Sequence, residues 1–116
     1  MRILLDQGTP IPLRYSVAGH DIHTVHEFDW TYLSDYELLL AAEREGFEAL
    51  ISTDIHLSDH HDLSQNQICV VVLSTARWKL IRLALGDVDA ALLNVRPGTY
   101  INVTIPDLPH SDHFAS

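Results

Sequence analysis

A chain of 116 residues with 47% hydrophobic residues is long enough to bury one core and too apolar to stay disordered. Its formal charge of -9 excludes a general nucleic-acid coat, because phosphate binding is driven by lysine and arginine displacing counterions, and only seven such residues exist. An acidic cleft still meets phosphates where divalent cations stand between the two, as in two-metal nucleases.

The single cysteine, Cys69, excludes an internal disulfide and fits a reducing compartment. No apolar run approaches the ~18 residues of a membrane span. Met1-Arg2-Ile3-Leu4-Leu5-Asp6 meets a carboxylate too early for a signal peptide, so the expected location is cytoplasmic, with no membrane partner.

In chain order, Arg2 to Asp6 reads as a first strand and Gln7-Gly8-Thr9-Pro10 as the turn out of it. Thr9 is placed to cap a short helix running to about Tyr15, with Pro10 in its first turn. Gly19-His20-Asp21 turns into a second strand, Ile22-His23-Thr24-Val25, with Ile22 and Thr24 on one face. Ser34-Asp35-Tyr36-Glu37 is a capping box, and its helix runs through Leu38 and Leu39 to Glu45, where Gly46 supplies the left-handed stop.

Ala49-Leu50-Ile51-Ser52-Thr53-Asp54 is a brief apolar run without alternation, the pattern of a strand buried on both faces, and it ends in two hydroxyls and a carboxylate. Ile68 to Leu73 is the most hydrophobic run and reads as a central parallel strand. One long helix is expected from about Arg77, with Trp78, Ile81, Leu85, Val88, Leu92 and Val95 as its core stripe, ending at Arg96-Pro97-Gly98.

Tyr100 to Ile105 alternates as an edge strand with one wet face, and such an edge can recruit a second copy into a homodimer. Strands alternating with helices predict a three-layer α/β/α domain over 1–105 with a mostly parallel sheet of about five strands. The segment 106–116, with two prolines and two histidines, is expected to be a poorly ordered tail.

Arg2-Ile3-Leu4-Leu5-Asp6, Gly19-His20-Asp21, Leu33-Ser34-Asp35, Gly46-Phe47 and Thr53-Asp54, taken in that order, resemble the DUF5615 group of PIN-like proteins, from Arg2 to about Val103. The resemblance implies a PIN-type fold whose clustered acids hold magnesium or manganese for cleaving RNA. It also implies the toxin component of a toxin–antitoxin pair, with an antitoxin protein as partner. The matching acids are Asp6, Asp35 and Asp54, with Glu37 as a fourth candidate. Gln7 stands where the family often has Glu, and Ile55-His56-Leu57 replaces a pattern with a second aspartate or an asparagine. Those departures support an alternative: a catalytically impaired PIN-like domain that binds a protein partner.

Three carboxylates from separate strand and helix ends suffice for one magnesium, because hard divalent cations take oxygen ligands and keep several waters. Each acid also has an ordinary structural use. Asp6 and Asp54 can bond their own turns, Asp35 suits a first helical turn, and Glu37 completes the capping box. Thr53 offers a hydroxyl to Asp54 or to a phosphate, or simply ties its loop. Arg77, Lys79 and Arg82 form the one basic cluster available to a substrate phosphate, and a solvated helix face is their ordinary explanation. His56, His60 and His61 with Asp54, Asp59 and Asp62 could offer zinc or manganese a mixed ligand set, but their spacing matches no strong motif and reads as a solvated loop.

Overall fold

The computed structural model describes residues 1–107. Its elements run β1 (Arg2–Leu5), α1 (Leu13–Ser16), β2 (Asp21–Thr24), α2 (Asp35–Arg44), β3 (Ala49–Ser52), α3 (Leu57–His60), β4 (Cys69–Leu73), α4 (Trp78–Ile81), α5 (Leu85–Leu92) and β5 (Tyr100–Val103). The five strands form one sheet in the order β2-β1-β3-β4-β5, and every neighbouring pair is parallel. In register, Leu4 lies between His23 and Leu50, and Val71 lies between Ile51 and Ile101.

Strand alternation builds two cores. Ile3, Leu5, Ile51, Val71 and Leu73 point to one face, where they meet Leu13 of α1 and Ile81, Val88 and Leu92 of α4 and α5. Leu4, Leu50, Val70 and Val72 point to the other and meet Leu38, Leu39 and Ala42 of α2 and Leu57 of α3. The architecture is therefore a three-layer α/β/α domain, as the sequence predicts. All residues of β3 and β4 are buried, and each large aliphatic side chain so placed contributes roughly 1.5–3 kcal/mol. Cys69 belongs to this core. No helix among the described residues is long and apolar enough to cross a membrane.

The start and stop of α2 follow from its sequence. Ser34 Oγ accepts the Glu37 N–H at 3.2 Å, and Glu37 Oε1 accepts the Ser34 N–H at 2.9 Å. At the far end Gly46 takes φ 81°, which lets its N–H reach the Glu43 carbonyl and the Phe47 N–H reach that of Ala42, both at 3.0 Å.

Three expectations are corrected. First, the helix after β1 starts at Leu13, not at Thr9, because the Thr9 hydroxyl donates to the buried carbonyl of Ile51 at 3.1 Å. Pro10 to Pro12 instead form turns bonded to Leu13, Arg14 and Tyr15. Second, the helix expected from Arg77 to Val95 is two helices. Leu83 and Ala84 bond the carbonyls of Leu80 and Ile81, closing α4, and Ala84 leaves helical geometry at φ -122° and ψ 29°. Gly86 costs an unbroken helix about 1 kcal/mol relative to alanine. The predicted stripe still faces the core on both sides of the break, so burial does not oppose it. Third, β5 ends at Val103, although Ile105 stays buried with its N–H on Ser74 Oγ at 2.8 Å. The expected tail lies outside the described residues beyond Asp107.

Candidate functional site

A parallel sheet sends every strand out at the same rim, so the loops after β1, β2 and β3 share one edge. Asp6, Asp35 and Asp54 sit on those three exits. Asp6 follows β1 while its N–H is still bonded to the Ile51 carbonyl at 2.9 Å. Because Leu5 faces the α5 layer, alternation turns Asp6 toward the α2 layer. Ser52, the last residue of β3 and 1% exposed, shares that side with Leu50.

Ser52 is the hinge of the site. Its hydroxyl donates to Asp6 Oδ2 at 2.9 Å and accepts the Asp54 N–H at 3.1 Å. The Gln7 N–H donates to Asp6 Oδ1 at 2.8 Å. Both carboxylate oxygens of Asp6 are thus fixed, and each keeps a lone pair for a further ligand.

Burial pushes the Asp6 carboxyl above the ordinary range, the bonds from Ser52 and Gln7 pull it back, and the charges of Asp35 and Asp54 push it up again. Asp54 is linked to Asp6 through the Ser52 hydroxyl that both bond, and Asp35 shares the rim. Both are exposed. Asp35 opens α2, its Oδ2 3.7 Å from His61 Nε2, and His61 is tied to the sheet by Tyr100, whose hydroxyl donates to its carbonyl at 2.7 Å. Asp54 Oδ1 accepts the His56 N–H at 3.0 Å in a turn of its own. Among the described residues, neither Asp6 nor Asp54 makes an ion pair.

The convergence is loose: no group of three or more His, Cys, Asp or Glu side chains among the described residues is gathered closely enough to hold a metal ion. The donor chemistry nevertheless suits a hard divalent cation, being carboxylate oxygen throughout. Asp6 is the anchored member, and Asp35 and Asp54 stand on a helix start and a loop at its side.

Glu37 is engaged elsewhere. The backbone and hydroxyl bonds with Ser34 hold its carboxyl below the ordinary range, as the capping box requires. Thr53 lies against the turn after β1, since a Cβ on Gly8 would sit 3.7 Å from Thr53 Oγ1. Arg77, Lys79 and Arg82 are exposed on and beside α4, whose core side packs on the face opposite α2. Among the described residues none of the three forms an ion pair with the acids. The histidine-rich loop does not converge either: His56 Nδ1 meets Asp59 Oδ2 at 3.1 Å while His61 turns to Asp35.

Sequence reasoning singled out Thr53 and passed over Ser52, its neighbour. The available signal was parity: a hydroxyl two residues beyond Leu50 shares its face, and Asp6 has the matching parity on β1. Compared with family models, with curated proteins and with solved structures, the chain matches none.

Proposed function

We propose that this is a PIN-like, metal-dependent ribonuclease acting in the cytoplasm as the toxin component of a toxin–antitoxin pair. The observation that carries the reading is Asp6. It is a half-buried carboxylate, locked by Ser52 and Gln7 on the rim that also carries Asp35 and Asp54, and among the described residues no cation is paired to it. Like charges gathered at a rim are unfavourable unless a cation joins them. Asp6, Asp35 and Asp54 are the residues that would hold Mg2+ or Mn2+, Asp6 from the end of β1, Asp35 from the start of α2 and Asp54 from the loop after β3. Such an ion supplies Lewis acidity toward a phosphate and lowers the pKa of water.

The chain's own contribution is positional. Ser52 sets the Asp6 carboxylate, and His61 stands beside Asp35. Thr53 and the Arg77, Lys79 and Arg82 group are offered to the RNA phosphates, the latter from the opposite layer. An antitoxin protein is the expected regulator. Asp6→Asn should abolish manganese-dependent cleavage of single-stranded RNA while the variant stays folded. Equal cleavage by both proteins overturns the reading.

A second reading is favoured by the loose spacing of the acids and by Gln7 and His56. In it the domain is catalytically impaired and binds a protein partner. Manganese titration against thermal stability separates the two, because an ion that binds only the folded state raises stability by mass action. A shift at millimolar ion that Asp6→Asn removes supports the nuclease, and its absence supports the binding module.

A further inference from the structure

Two aromatic rings that bracket Asp35 in the chain are left in water. Tyr36, the next residue in the first turn of α2, is 64% exposed, and Tyr32, three residues before Asp35, is 76% exposed. Tyr32 lies in a turn closed by the Leu33 N–H on the Trp30 carbonyl at 3.1 Å. That turn is held on its inner side, because Trp30 packs against the α2 core and stacks on Phe28 at 4.5 Å, with Phe47 edge-on to Phe28 at 5.6 Å.

Helical spacing gives the direction of Tyr36. Residues seven apart share one flank of a helix, so Tyr36 lies on the side of Glu43, whose carboxylate accepts the side-chain amide of Asn66. At the same end of α2 Asp35 meets His61. Tyr36 therefore stands at the acid rim on the flank that borders residues 61–66, and it is not buried there.

Phosphate contacts are not the grip on this side of the rim. The chain has seven lysines and arginines. Arg2 begins β1 and Arg96 precedes β5, at the opposite edge of the sheet, and Arg44 closes α2 at its far end. Arg14, Arg77, Lys79 and Arg82 lie on or beside helices of the other layer. A strand reaching Asp6 past α2 thus meets carboxylates and aromatic rings and, among the described residues, no lysine or arginine. Bases are what such a surface can hold, since every base has a face to stack and stacking is not opposed by like charge. Bases within a duplex are already stacked on one another, so the strand must be unpaired.

We propose that Tyr36 and Tyr32 form a stacking platform for unpaired bases of the RNA, so that the protein holds its substrate by the bases and not by the phosphates. The inference rests on RNA being the substrate, as in the reading above, and not on which acids hold the ion. It carries a signature in salt. A protein making 6–10 phosphate contacts loses about 10³–10⁵ in affinity between about 50 and 200 mM salt, whereas here affinity should not fall.

Fluorescence anisotropy of a labelled single-stranded RNA oligomer, with EDTA present to prevent cleavage, tests the platform. Tyr36→Ala should weaken binding at least about fivefold, the loss of one stacked base, and Tyr36→Phe, which keeps the ring, should bind as wild type does. Tyr32→Ala should act in the same direction. Both side chains are exposed, so the thermal transitions of these variants should stay in place. An abasic oligomer of equal length should bind weakly and no longer distinguish wild type from Tyr36→Ala. Equal binding of RNA by wild type and Tyr36→Ala overturns the proposal, as does an abasic oligomer held as tightly as the intact one, or a wild type that binds no RNA. Cleavage separates it from the nuclease reading. Manganese-dependent cleavage lost in Asp6→Asn yet at full kcat/KM in Tyr36→Ala overturns the platform alone, whereas RNA bound through Tyr36 and never cut supports the platform and overturns the nuclease alone.

Discussion

The Ser52 hydroxyl donates to Asp6 Oδ2 at 2.9 Å, and through that bond the end of β3 sets the carboxylate at the end of β1. Because the same oxygen takes the Asp54 N–H, one buried atom registers two of the three rim acids. Ser52→Ala removes a donor and an acceptor at a site that is 1% exposed. Leaving such groups unpaired costs about 1–3 kcal/mol, so urea unfolding should show a loss in that range. Losing the Ser52 bond, which pulls the Asp6 carboxyl down, should also raise its titration further, visible by carboxyl NMR.

Asp6 gives stability a definite pH dependence. Its folded carboxyl titrates above the ordinary 3.8, chiefly because of burial, so the native state holds a proton that the unfolded chain has released. The stabilising contribution of that proton is complete below about 3.8 and is lost as pH rises through the folded value. Asp6→Asn lacks this loss. Without metal, the melting temperature of Asp6→Asn minus that of wild type should therefore rise as pH is raised from 4 toward 7, and a difference that falls instead would contradict the electrostatics of the rim.

Glu37 serves the helix. Glutamine also completes a capping box, so Glu37→Gln should leave any manganese-induced thermal shift unchanged. Ser34→Ala should cost about 1 kcal/mol in urea unfolding through loss of the N-cap. A manganese response abolished by Glu37→Gln would instead place that carboxylate among the ligands.

Gly98 is the most constrained glycine. It has φ 75°, and a Cβ there would lie 3.0 Å from the Leu63 carbonyl oxygen and 3.2 Å from that of Asn66. Both obstacles are backbone, which cannot step aside as a side-chain tip can. Gly98→Ala should destabilise by more than about 1 kcal/mol, measured by urea unfolding.

What the sequence made legible was whatever is decided locally. Ser34 and Glu37 announce α2 because both halves of the box lie within one turn, and the unbroken apolar runs at β3 and β4 announce burial on two faces. Thr9 was misplaced because its partner, the Ile51 carbonyl, is forty-two residues away and satisfies a hydroxyl that a cap would otherwise use. The break between α4 and α5 left no trace in the stripe, since the same residues face the core with or without it. Asp6, Asp35 and Asp54 were legible as positions on one rim. The Ser52 link was not, because it depends on β1 and β3 being neighbours.

Three of the four left-handed glycines, Gly19, Gly46 and Gly98, stand just ahead of β2, β3 and β5, where a helix or loop doubles back into the sheet. The returning ends are thus built as fixed joints on left-handed glycines, while the departing ends, where Gly8 is the one left-handed glycine, are held by the side-chain bonds of Thr9 and Ser52. Stability and chemistry are partitioned along the length of each strand. Exposed side chains such as Asp35 and Asp54 can be exchanged at one end of the sheet without reopening the glycine joints at the other, whereas Asp6 is tied into the Ser52 bonds.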